Sequence, residues 1–99
     1  MIDISVVVPL YNEEESLPEL CAWIAKVMRE NNYSWEVILV DDGSSDSSWE
    51  VISKLQTEDS HIKGIRFRRN YGKSVTLDVA FDACSGKVFI TMDADLQDS

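Results

Sequence analysis

The residues best equipped for chemistry are Asp93, Asp95, Gln97 and Asp98, which follow the apolar run Val88-Phe89-Ile90-Thr91-Met92. Two carboxylates one residue apart repel each other unless a positive charge sits among them, and a hard divalent cation such as Mg²⁺ or Mn²⁺, shared with a substrate's phosphates, meets that need. An EF-hand is excluded, because the position that requires glycine carries Asp98. A second acidic stretch, Asp41-Asp42-Gly43-Ser44, also follows an apolar run. It fits a tight turn and helix start, and equally a carboxylate that accepts the N–H of a nucleobase. Gly72-Lys73 lacks the upstream glycine of a P-loop and reads as a turn and helix entry. Arg66, Arg68 and Arg69 could steer phosphate, or form a solvated, partly paired surface. His61 reads as a surface loop residue. Trp23, Trp35 and Trp49 fall in helix or strand patterns and read as core.

The elements that must position these residues alternate along the chain. Strands are expected at Ile4 to Pro9, Trp35 to Val40, Ile62 to Phe67 and from Val88, the first and fourth rich enough in apolar residues to be buried on both faces. Between them fall three helices. The first opens on a Ser16/Glu19 capping box and repeats Leu17, Leu20, Cys21, Ile24, Val27 and Met28 at helical spacing. The second starts near Ser47 with Glu50 three places on; the third runs from about Ser74 to Cys84, closed by Gly86. The order βαβαβαβ calls for an α/β fold, a Rossmann-like parallel sheet with helices on both faces. Parallel strands bring their carboxyl ends to one edge, so Pro9 to Glu13, Asp41 to Ser44, Asn70 to Lys73 and Asp93 to Asp98 should converge. With the first strand beside the fourth, a crevice opens between Pro9-Tyr11 and Asp93-Asp95.

Ninety-nine residues make one modest domain, and 44% hydrophobic content is that of a folded one. A net charge of −9 argues against a nucleic-acid partner, which would demand excess Lys and Arg. It would repel a nucleotide too, unless a metal stands between acids and phosphates. The two cysteines, Cys21 and Cys84, lie in apolar helical patterns without ligand spacing and read as buried, reduced thiols of a cytoplasmic protein. No secretory signal and no membrane-spanning run is visible.

Taken together, Val6-Val7-Val8-Pro9-Leu10-Tyr11-Asn12-Glu13, Glu36 to Asp46, Arg69-Asn70-Tyr71-Gly72-Lys73 and Met92 to Asp98 resemble the family 2 glycosyltransferases. The polyprenyl-phosphate branch, similar to dolichol-phosphate mannose synthase, matches best. The resemblance implies the first half of a GT-A fold, with residues 1–99 as its nucleotide-sugar-binding part. It implies that Pro9, Tyr11, Glu13, Asp42 and Ala94 line the nucleotide site, Asp42 on the uracil or guanine base. Asp93, Asp95 and Gln97 would bind the diphosphate through Mg²⁺ or Mn²⁺. The implied reaction is transfer, with inversion, from a UDP- or GDP-sugar to a lipid phosphate or a cell-envelope glycan, at the cytoplasmic face of a membrane. Acceptor-binding and catalytic-base residues are expected outside this stretch, so the 99 residues alone should bind nucleotide weakly and transfer nothing. Two other readings compete: a phosphoacceptor receiver domain built on Asp41, Asp42 and Asp93, and a non-catalytic nucleotide-binding module.

Overall fold

A computed structural model describes residues 1–94. The elements follow the expected order: β1 (Ile4–Leu10), α1 (Leu17–Glu30), β2 (Trp35–Asp41), α2 (Ser48–Glu58), β3 (Ile62–Arg66), α3 (Lys73–Ala83) and β4 (Val88–Thr91). All strand pairs are parallel and the sheet order is β3-β2-β1-β4, which sets the first strand beside the fourth.

Side chains alternate across a strand, so each strand feeds two layers. Ile4, Val6, Val8 and Leu10 of β1, with Val37 and Leu39 of β2, pack with Leu17, Leu20, Ile24 and Met28 of α1 and Ile52 of α2. Val7, Ile38 and Val40 point the other way and meet Ala80 of α3. Leu17, Leu20 and Ile24 are almost wholly removed from solvent, each contributing roughly 1.5–3 kcal/mol through burial. Both faces of β1 and β2 are thus covered, which accounts for the apolar runs from Val6 to Leu10 and from Val37 to Val40.

β4 departs from that expectation. Val88, Phe89 and Ile90 are 54%, 51% and 39% exposed. The strand pairs with β1 along one edge, and among the described residues Phe89 meets an aromatic partner in Phe81 of α3. An apolar run signals burial only where a layer covers it, and β4 lies at the margin of the sheet.

Neither capping box forms, and backbone geometry gives the reason. Ser16 sits at φ −82°, ψ −27° and Ser47 at φ −90°, ψ 20°, whereas a capping side chain reaches the third helical N–H from extended backbone. The Ser16 hydroxyl instead donates to Glu13 Oε2 at 3.0 Å. At α2, Asp46 Oδ1 accepts the Ser48 N–H at 2.9 Å and takes over the cap's task. Gly86 is not the cap of α3 but a point of close approach: a Cβ there would lie 2.6 Å from the Ser5 backbone nitrogen.

Four side chains take places or partners that the sequence did not indicate. Trp23 is half exposed on α1. His61, in the turn before β3, stacks on Trp35 with ring centroids 3.6 Å apart, and its Nδ1 lies 2.6 Å from Asp59 Oδ1. Arg66, at the end of β3, lies over the Trp49 ring and Arg69, in the loop that follows, over Tyr71; among the described residues neither is paired with an acid. Cys21 and Cys84 are free thiols, Cys21 buried and Cys84 half-buried. No helix among the described residues is long and apolar enough to cross a membrane.

Candidate functional site

The carboxyl ends of β1, β2 and β4 and the start of α3 surround one cavity of about 170 Å³, lined by Pro9, Leu10, Tyr11, Asp42, Lys73, Thr76 and Asp93. Topology makes it. With β1 between β2 and β4, the loop after β1 leaves on one side of the sheet and α3 approaches on the other, so the adjacent strand ends are left open. A whole ligand pocket occupies roughly 300–1,000 Å³, so this hollow has the size of one part of a nucleotide.

Asp42 is buried at 7% exposure, and both its oxygens are engaged. Oδ1 accepts the Tyr71 N–H at 2.7 Å and Oδ2 the Gly72 N–H at 3.0 Å. These backbone donors precede α3, so the carboxylate fixes the entry of that helix while it lines the cavity. Each carboxylate oxygen has two lone pairs, which leaves acceptor capacity for a ligand donor. Glycine is required on both sides of this fork. Gly43 has φ +77° and a Cβ there would come within 2.4 Å of the Arg69 carbonyl carbon; Gly72 has φ +95°.

Tyr11 stands half exposed at the rim. Lys73, the first residue of α3, reaches across the opening, and its Nζ lies 3.3 Å from Asp93 Oδ1. The Thr76 hydroxyl donates to the Lys73 carbonyl oxygen at 2.7 Å and is spent on the helix. The mouth therefore holds two carboxylates and one ammonium. Its side-chain donors are hard oxygens without thiol or imidazole, a set that suits Mg²⁺ or Mn²⁺ over a softer metal.

Of the residues expected to share a site, Pro9, Tyr11, Asp42 and Asp93 do line one cavity. Glu13 lies to the side, its N–H donating to Ser48 Oγ at 3.0 Å and its carboxylate accepting from Ser16. Ala94 is packed into the core on the α1 side. Asp95 and Gln97 fall outside the described residues. Leu10 and Lys73 belong to the stretches expected to converge at this edge, although neither was given a role there; Thr76, one turn into α3, was not anticipated. Asp41, next to Asp42, turns to the opposite face, where its Oδ1 accepts the Ser44 N–H at 2.8 Å. No group of three or more His, Cys, Asp or Glu placed to hold a metal occurs among the described residues, so the triad of a receiver domain does not assemble from Asp41, Asp42 and Asp93.

The sequence model of glycosyl transferase family 2 matches residues 5–99. The chain belongs to that family. Its similar relatives include the undecaprenyl-phosphate 4-deoxy-4-formamido-L-arabinose transferases of Salmonella choleraesuis (strain SC-B67) and Salmonella paratyphi B (strain ATCC BAA-1250 / SPB7). Each is 48% identical over 95 residues, which make up 95% of this chain and 29% of the relative. The chain thus spans under a third of the length of these relatives.

Among solved structures, S. aureus TarS 1-349 in complex with UDP-GlcNAc superimposes with a TM-score of 0.78 at 27% identity, over 95% of this chain and 27% of that one. The mannosyltransferase PcManGT from Pyrobaculum calidifontis, solved with GDP-Man and Mn²⁺, gives a TM-score of 0.80 at 24% identity, over 96% of this chain and 30% of that one. That second likeness is one of fold. Family membership removes the receiver reading, and the parallel α/β sheet is that of glycosyltransferase structures.

Proposed function

We propose that this chain is the nucleotide-sugar-binding part of a metal-dependent, inverting glycosyltransferase whose acceptor is a polyprenyl phosphate. The observation that carries the reading is the meeting of Tyr11, Asp42, Lys73 and Asp93 around one cavity at the carboxyl edge of the sheet. The undecaprenyl-phosphate transferases that share 48% identity favour the lipid-phosphate acceptor over a glycan. TarS with its UDP-sugar favours uracil over guanine.

In this reading each residue has a physical task. Asp42, held by two backbone N–H groups, presents its remaining lone pairs to the N–H of the base, and Pro9 and Tyr11 wall the nucleoside. The Lys73 ammonium faces the growing negative charge of the departing diphosphate. Asp93, with Asp95 and Gln97, would hold Mg²⁺ or Mn²⁺; when bound, such a cation neutralises charge on the diphosphate oxygens. The anomeric carbon becomes cation-like as its bond to the diphosphate breaks. A phosphate acceptor is already anionic, so it attacks from the opposite face without needing a strong base. Work at the cytoplasmic face of a membrane, where a lipid phosphate presents its head group, belongs to the same reading.

Calorimetric titration of the chain with UDP and GDP, each with and without Mn²⁺, tests it. The expected result is weak, metal-dependent binding of UDP in preference to GDP, abolished in Asp42→Ala. Equal binding of both nucleotides without any effect of metal would refute the roles of Asp42 and Asp93.

A further inference from the structure

The loop after β1 and the loop after β2 both line the cavity, through Tyr11 and Asp42. No strand ladder joins them at that height, since the β1 to β2 register ends at Leu10 and Asp41. Side chains do: Ser48 Oγ accepts the Glu13 N–H at 3.0 Å, Asp46 Oδ2 accepts the Glu14 N–H at 3.4 Å, and Asn12 makes the largest set of such contacts. Asn12 Oδ1 accepts the backbone N–H groups of Ser45 at 2.8 Å and Asp46 at 3.2 Å. Its Nδ2 donates to Ser45 Oγ at 3.2 Å, and its own backbone N–H donates to Ser44 Oγ at 2.8 Å. Asn12 thus ties its loop to three successive residues of the other.

The residue type is nearly dictated. Asn12 has φ 54°, in the left-handed region that asparagine tolerates better than most side chains. An amide supplies an acceptor and a donor from one short side chain. Glycine would suit the backbone without making the ties, and serine would lack reach and donors for all three.

We propose that Asn12 is a positioning residue that sets the distance between Tyr11 and Asp42 and so preorganises the base end of the nucleotide site. It touches no nucleotide in this scheme. It acts by sparing the ligand the cost of ordering two loops, which otherwise subtracts from affinity. The proposal rests on the nucleotide reading above for its ligand, but the tie itself can be measured without one.

The experiment compares the chain with its Asn12→Gly and Asn12→Asp variants. Glycine keeps the backbone angle and the backbone N–H bond to Ser44 but deletes the side-chain ties to Ser45 and Asp46; aspartate keeps an acceptor for Ser45 and Asp46 and loses the amide donor. Amide hydrogen exchange should quicken at least about tenfold at Ser45 and Asp46 in Asn12→Gly, the loss of one to two net hydrogen bonds. It should be largely restored in Asn12→Asp, and core amides such as Val7 and Ile38 should be unchanged in both. UDP affinity in the presence of Mn²⁺ should fall about tenfold in the glycine variant. Unchanged exchange at Ser45 and Asp46 would overturn the proposal. So would parallel quickening of the core, which would make Asn12 a general stabiliser, or undiminished affinity in Asn12→Gly. If the unaltered chain binds neither UDP nor GDP, the functional reading falls, and exchange across residues 10–14 and 41–48 then decides the tie alone.

Discussion

The Lys73 ammonium lies 3.3 Å from Asp93 Oδ1 across the mouth of the cavity, and both side chains are mostly exposed, at 65% and 77%. An ion pair this open contributes about 0–1 kcal/mol to stability. Its importance lies in competition, because the proposed cation would displace the ammonium from Asp93 toward the diphosphate. Lys73→Met should therefore leave urea unfolding within about 0.5 kcal/mol of the unaltered chain. Metal alone should bind more tightly, and UDP in saturating Mn²⁺ roughly tenfold more weakly, the value of one charge-assisted contact. Calorimetry with metal first and nucleotide second separates the two effects. A variant that loses affinity for both equally would show that Lys73 merely shapes the loop.

The second short-range relationship joins Gly43 to Arg69. With φ +77° and the Arg69 carbonyl carbon 2.4 Å from where a Cβ would stand, Gly43→Ala is strained twice over. Gly72 has φ +95° but open space around it, so Gly72→Ala carries the backbone strain alone. Urea denaturation should show a loss of about 3 kcal/mol for Gly43→Ala and about 1 kcal/mol for Gly72→Ala. Equal losses would mean that the loops after β2 and β3 do not press together as described.

How much of this was legible beforehand follows from what the chain encodes locally. The element order could be read because apolar runs and helical spacing report burial residue by residue, whereas the adjacency of β1 and β4 entered only as a condition that the structure meets. Asp42 and Asp93 could be placed at one edge because parallel strands leave no alternative. What escaped depends on contacts distant in sequence. The use of Asp42 as an acceptor for Tyr71 and Gly72, 29 and 30 residues away, has no local signal. Nor has the pairing of His61 with Trp35, or the exposure of β4, which turns on what lies beside it rather than on its own composition. The capping boxes misled because the serines matched in type while their backbone angles did not.

Far from the cavity, at the amino ends of the strands, Glu36 is 1% exposed and anchors the approach to β4. Its Oε2 accepts from Ser5 Oγ and from the Ser85 N–H, both at 2.6 Å, and its Oε1 from Lys63 Nζ at 2.6 Å. Burial pushes this carboxyl up, but the hydrogen bonds from Lys63, Ser5 and Ser85 outweigh it and hold the group below the ordinary glutamate value. A carboxyl lowered on folding adds stability that is complete above its unfolded value, ~4.3, and is lost as pH falls through the folded one. Glu36→Gln should cost about 2 kcal/mol at pH 7, since one oxygen must become a donor facing other donors while the half-exposed Lys63 can rehydrate. Urea unfolding at pH 7, 5 and 3 should show that cost nearly constant from 7 to 5 and smaller at 3, where the unfolded chain takes up a proton that the native carboxylate resists. A cost that stays the same at pH 3 would mean that the charge of Glu36 does not hold the turn before β4 to the sheet.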